Sequence, residues 1–183
     1  GPAAALAPAT GALGRTGVHD TLKPLVMVVA LFYVAACARR SGAGGRFGSY
    51  FWLLAAALAA SLAGDVFLML QGFFIPGLVS FLVAHLFYIA LFKQGVPWFP
   101  SRRALAIPLA SGAGMYVFLW AGGLPAALRL PVAAYVAVIA LMAAQALGRA
   151  SVLRTPASVG VAAGACVFML SDSVLATNRF VVA

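Results

Sequence analysis

The chain has 183 residues, 64% hydrophobic and 8% charged, with a mean hydropathy of +1.07. A soluble domain carries about 25% charged residues, so a soluble fold is excluded; the length suits one compact bundle of membrane helices with no separate soluble domain. The net charge of +9 would suit a nucleic-acid binder in a soluble protein, but the Lys and Arg lie in short loops between apolar runs. That is the pattern of topology signals and lipid-headgroup contacts, and no nucleic-acid partner is expected.

In chain order, Gly1-Pro2 resembles a tag-cleavage remnant and is set aside. Residues 3–17 are small, interrupted by Gly and Pro and too short to span, and read as the stub of a first helix. Six apolar runs follow, at about 22–38, 50–70, 74–92, 104–120, 130–147 and 157–176, each near the ~20 residues that cross ~30 Å of hydrocarbon. The expected fold is therefore all-α, a polytopic transmembrane helical bundle with six clear spans, forming one domain over 1–183. Cys37 and Cys166 fall in different runs without metal-ligand spacing and read as buried thiols.

Alternating spans put Arg39, Arg40, Arg46, Lys93, Arg102, Arg103, Arg149 and Arg154 on one side of the membrane, and Arg15, Lys23, Arg129 and Arg179 on the other. The positive-inside rule makes the first side cytoplasmic. Arg outnumbers Lys ten to two in an alanine-rich chain, which suggests a GC-rich bacterial source and a multi-pass protein of the inner membrane.

Only three residues are acidic, Asp20, Asp65 and Asp172, and two of them lie inside apolar runs. A carboxylate at membrane depth is costly unless paired, protonated or facing a water-filled cavity, so Asp65 and Asp172 mark a site. Each lies about 6–8 Å inside the same boundary at 1.5 Å per residue, and both are expected in one cavity. Ala56, Ala60 and Gly64 lead to Asp65, and Gly160, Gly164 and Phe168 step by four into Asp172; such small-residue rows let helices approach closely. Ser61 lies one turn before Asp65, and Ser171 and Ser173 flank Asp172. In the third run, Phe74, Phe81, His85, Tyr88 and Phe92 recur at near-helical spacing, which places His85 and Tyr88 on one face, with His85 deeper in the same cavity.

LKPLVMV at 22–28, SLAGDVFLML at 61–70, FIPGLVSFLVAHLFYIALF at 74–92 and GACVFMLSDSVLATNRF at 164–180 together resemble the lysoplasmalogenase, or YhhN-like, family of integral membrane enzymes. Tyr135 in LPVAAYVAVIALM matches as well. The resemblance implies eight transmembrane helices and hydrolysis of the vinyl-ether bond of lysoplasmalogens to a fatty aldehyde and a glycerophospho-base. It implies Asp65, Asp172, His85 and Tyr88 as the catalytic set, with Lys23, Tyr135 and Asn178 as further matches on the substrate-binding side. The chain departs from the family pattern in its reduced first helix and in ending at Ala183.

The chemistry suits these residue types. A vinyl ether is stable to base and yields to acid: a proton goes to the β-carbon, an oxocarbenium ion forms, and water adds. This parallels glycoside hydrolysis by two carboxyl groups. Two aspartates in a low-dielectric cavity supply one neutral and one ionised member; which is the acid stays open. His85 and Tyr88 suit orientation of water or the ether oxygen, and Lys23 or Arg179 suits the lipid phosphate as a point charge. No cofactor is expected, and two histidines, one of them His19, do not make a catalytic zinc site. The partners expected are a lysophospholipid entering from the bilayer and membrane lipids. The alternative is a small proton-coupled transporter or lipid-binding membrane protein using the same aspartates, for which internal repeats would speak; AGDVF and LSDSV resemble each other only weakly. A plain scaffold would lack a cavity at Asp65.

Overall fold

The computed structural model describes residues 28–32, 34, 36 and 46–182. Lys23, the 3–17 segment, Asp20, His19 and Cys37 lie outside the described residues, as does most of the first apolar run, whose described positions are helical. Five complete helices follow: α1 (Arg46–Met69), α2 (Phe74–Lys93), α3 (Arg102–Ala121), α4 (Ala126–Leu153) and α5 (Pro156–Thr177), the last continued by a π-helical turn, Asn178–Val182. All five are long and apolar enough to cross a bilayer, the only open-chain solution that satisfies every backbone group in hydrocarbon. The chain is thus a polytopic helical bundle, and the described residues contain no strand.

Local sequence sets the ends. The Ser101 hydroxyl accepts from the Ala104 amide to start α3, and a Thr155–Ser158 capping box with Pro156 in the first turn starts α5. Between α1 and α2 the turn passes through Gly72 at φ +83°, where a side chain would be strained. The helix α4 is longer than the 130–147 run predicts. It passes through Pro131, keeps Arg129 attached to the Leu124 carbonyl and the Trp120 face, and stops only where Arg154 turns left-handed. Charge at a helix end was thus satisfied within the helix rather than ending it.

The packing centres on α4, the most buried of the five, which touches α2, α3 and α5, while α1 pairs with α2. Its Ala140, Ala143, Ala144 and Ala146 are essentially inaccessible and bring neighbouring backbones close. One core cluster joins Ile89, Ile139, Met142, Ala143, Ala162 and Ala165. A smaller one joins Leu119, Leu124 and Val132 near the other membrane face. On the α2–α3 loop side, buried Gln145 accepts from the Phe99 amide (2.8 Å) and donates to the Pro97 carbonyl (3.2 Å). Arg149 donates to the carbonyls of Phe92 and Gln94. These two residues of α4 tie that loop down.

The two small-residue rows behave differently. A Cβ on Gly64 would lie 2.6 Å from the Phe81 ring, so glycine is what allows α1 to seat on α2. Gly160 and Gly164 face away from the described core, with nothing within 4 Å of the positions their Cβ atoms would take. The reason is the roll of α5, which spends Ala162, Ala165, Phe168 and Met169 on the cluster against α4.

Candidate active site

All five helices contribute to one cavity of about 920 Å³ near the membrane face that carries the α1–α2 and α3–α4 turns. Its walls are apolar: Leu78 and Phe81 of α2, Met115 and Leu119 of α3, Val132 and Ile139 of α4 among them. Into this space α1 brings Asp65 and α5 brings Asp172, the two aspartates expected together from their depths. Ser171 and Ser173 also line it, the latter hydroxyl being donated back to the Met169 carbonyl at 2.9 Å.

Tyr135, about a third of the way along α4, lines the same cavity. Its hydroxyl donates to Asp172 Oδ2, and both Asp172 and Asp65 are near enough for their charge to act on the phenol. The sequence placed Tyr135 only among the further matches; the geometry puts it in direct contact with a carboxylate. At the mouth stand Asn178 and Arg179, whose guanidinium lies 4.1 Å from the centroid of the Phe74 ring, with Phe180 edge-on to the same ring. Arg179, Met69 and Phe74 also border a second hollow of about 340 Å³ formed with the Gln71–Gly72 turn, so the apolar cavity continues into a polar annex at the membrane boundary.

His85 and Tyr88 do not sit where the helical face predicts. His85 is 1% exposed and does not line the cavity. It packs behind the wall, edge-on to Tyr135 (centroids 5.4 Å apart, 79°) and to Phe168 (5.2 Å, 63°). Its Nδ1 has no hydrogen-bond partner in good geometry, the approach to the Phe81 carbonyl one turn earlier notwithstanding. Tyr88 belongs to the core cluster, stacked on Phe92, with its hydroxyl paired to Ser61 of α1. Three residues along a helix turn it by about 300°, enough to send the two side chains to different neighbours. The α3 wall carries no polar side chain and left no signal in the sequence.

The arrangement offers an apolar slot for a lipid chain, two carboxyls in its wall, a phenol on one of them, and a cation in the turn that follows the last helix. It brings together Asp65, Asp172, Tyr135, Asn178 and Arg179; it places His85 behind Tyr135 and Tyr88 on Ser61.

The sequence model of the YhhN family matches residues 18–183. Human "Lysoplasmalogenase TMEM86B" is 34% identical over 133 residues, which is 73% of this chain and 54% of that protein. The rat protein of the same name is 39% identical over 134 residues, 73% of this chain and 52% of its own. A "Lysoplasmalogenase" of Mycobacterium bovis is 32% identical over 172 residues, 89% of this chain and 62% of its own. The chain thus spans about half to three-fifths of the length of these relatives. No solved structure matches it.

Proposed function

The chain belongs to the YhhN family, and on that premise we propose that it hydrolyses the vinyl-ether bond of a lysoplasmalogen drawn from the bilayer, releasing a fatty aldehyde and a glycerophospho-base. The observation that carries the reading is that Asp65 and Asp172, two of the chain's three acidic residues, line one apolar cavity. The relatives named lysoplasmalogenase support the substrate class.

The cavity volume lies within the usual 300–1,000 Å³ of ligand sites, and its wall suits an alkenyl chain. With the chain inside, the ether stands beside the carboxyls and the glycerophospho-base extends to the polar mouth. Asn178 and Arg179 then contact the headgroup, Arg179 meeting the phosphate, with Lys23 a further candidate for the same anion. Asp65 and Asp172 share the roles of proton donor and of the carboxylate that stabilises the oxocarbenium ion and draws a proton from water. His85 acts on this chemistry through Tyr135, and Tyr88 through the seating of α1 by Ser61. Among the described residues, Ile89, Met142, Ala143 and Ala146 pack together on the far side of the cavity, which speaks against a path across the membrane. We place the protein in a bacterial inner membrane, on the compositional argument above.

The test is release of fatty aldehyde from a 1-alkenyl lysophosphatidylethanolamine by the purified protein, with Asp65→Asn and Asp172→Asn beside it. Wild type is expected to turn over and each variant to lose about 10²–10⁴-fold. Near wild-type turnover in either variant, or none in a folded wild type, overturns the reading.

A further inference from the structure

The fold gathers charge that the sequence scatters. Lys93 closes α2, Arg102 and Arg103 open α3, Arg149 lies in the closing turns of α4, and Arg154 caps that helix. Contacts from α4 bring these separate segments to one end of the bundle. Arg149 donates to the carbonyls of Phe92 and Gln94, on either side of Lys93, and Gln145 holds the Pro97 carbonyl and the Phe99 amide. Gly148 lies so close to Pro100 that a Cβ on it would fall 2.7 Å from the proline Cδ. Arg149 uses its guanidinium for this attachment, whereas Lys93, Arg102, Arg103 and Arg154 are exposed. Arg102 and Arg103 make no hydrogen bond, ion pair or ring contact among the described residues. The carboxyl side chains among the described residues, Asp65 and Asp172, line the cavity near the opposite membrane face.

A topology signal needs positive residues in a loop; it does not need them drawn together from three segments. Like charges drawn together repel until an anion completes the patch. The backbone is also strained to form it: Phe99 (φ 42°) and Arg154 (φ 51°), the non-glycine residues with left-handed backbone among the described ones, both lie here. The level of the patch says what carries the anion. It stands at the ends of three helices long and apolar enough to span a bilayer, and Trp98, 54% exposed, stands in it with the Lys93 ammonium 5.0 Å from its ring centroid. Indole rings favour the headgroup level of a bilayer, and basic clusters there attract anionic lipid. We propose that this end of the bundle is a binding site for an anionic phospholipid, its phosphate held by Arg102, Arg103 and Arg154 and its glycerol backbone resting on Trp98. The bound lipid neutralises the repulsion and stabilises the α2–α3 loop. The site is separate from the cavity of the two aspartates and stands whatever reaction that cavity performs.

The experiment titrates the purified full chain in detergent with phosphatidylglycerol or with phosphatidylcholine of the same acyl chains. Native mass spectrometry reads the lipid retained, and thermal melting reads the fold. Both lipids carry glycerol and phosphate, but only the first is a net anion. Wild type is expected to retain phosphatidylglycerol in preference and to melt higher with it, and raised salt to weaken both effects. Each cation beside an anionic lipid contributes about a fivefold factor, so Arg102→Gln combined with Arg103→Gln is expected to weaken retention about 25-fold. Both side chains are exposed, so the double variant is expected to melt like wild type without added lipid. Arg154→Gln, on the α4 side of the patch, is the independent variant and is expected to lose about fivefold. Arg129→Gln removes one charge at the opposite face and is expected to leave retention unchanged. Equal retention of the two lipids by wild type, wild-type retention in both patch variants, or a loss in Arg129→Gln as large as in Arg154→Gln overturns the site. Displacement of the lipid by pyrophosphate at equal phosphate concentration overturns its assignment to a lipid in favour of a soluble anion.

Discussion

His85 and the two aspartates are all polar residues in apolar helices, yet their surroundings differ in kind. The aspartates face a cavity; the imidazole faces two aromatic edges and keeps an unpartnered Nδ1. An unpaired buried polar atom costs about 1–3 kcal/mol, and exchange for an apolar ring of similar outline relieves that cost. His85→Phe is therefore expected to melt at or above the wild-type temperature in detergent and to keep most of the turnover, because the edge contact with Tyr135 survives. His85→Ala, which removes the support behind Tyr135, is expected to lose about tenfold in turnover if the hydrogen bond to Asp172 is displaced. His85→Phe as inactive as Asp172→Asn would show that the imidazole itself takes part in the chemistry. The aspartates were legible in the sequence because burying a charge in lipid is costly enough to demand a use. Tyr135 was not legible beyond a family match, since a tyrosine in an apolar helix looks the same whether it packs or donates, and only the fold brings α4 against α5.

At the scale of the element, Gly64 and Gly164 belong to rows that look alike in sequence and differ in structure. On Gly64 a methyl group would meet the Phe81 ring at 2.6 Å, whereas beside Gly164 there is nothing within 4 Å among the described residues. Gly64→Ala is expected to destabilise by about 1–3 kcal/mol, the range for overpacking, and to lower turnover by moving the adjacent Asp65. Gly164→Ala is expected to be neutral or mildly stabilising, about 0.5–1 kcal/mol from helix propensity. Thermal melting of the two variants side by side checks this, and equal losses would contradict the seating of α1 on α2. The five described helices were readable from the length of their apolar runs. Which face of each turned inward was not, because an almost uniformly apolar helix carries no strong amphipathic signal in lipid. The extension of α4 to Ala126 and Leu153 escaped notice for a related reason: Arg129 and Arg149 resemble loop charges until Leu124, Phe92 and Gln94 are seen offering them carbonyls.

Over the whole molecule the cavity and the charge lie at opposite ends. The mouth is framed by the turn at Gln71–Gly72 and by Arg179, while Lys93, Arg102, Arg103, Arg149 and Arg154 cluster around the end where Gln145 ties down the α2–α3 loop. Basic residues in short loops are retained on the cytoplasmic side, so the mouth is expected to open toward the opposite, outer face, and the substrate to be taken from the outer leaflet. This orientation is testable without any assay of activity. With Cys37 and Cys166 changed to Ser, a single Cys at Gln71 and one at Ser101 report the two ends of the bundle. In intact cells expressing the protein in the plasma membrane, a membrane-impermeant maleimide is expected to label Gln71→Cys, and to label Ser101→Cys only after permeabilisation. The reverse pattern would turn the molecule over and make the inner leaflet the source of substrate. Labelling of both positions before permeabilisation would break the charge argument, because no single orientation of five packed helices exposes both turns to one side.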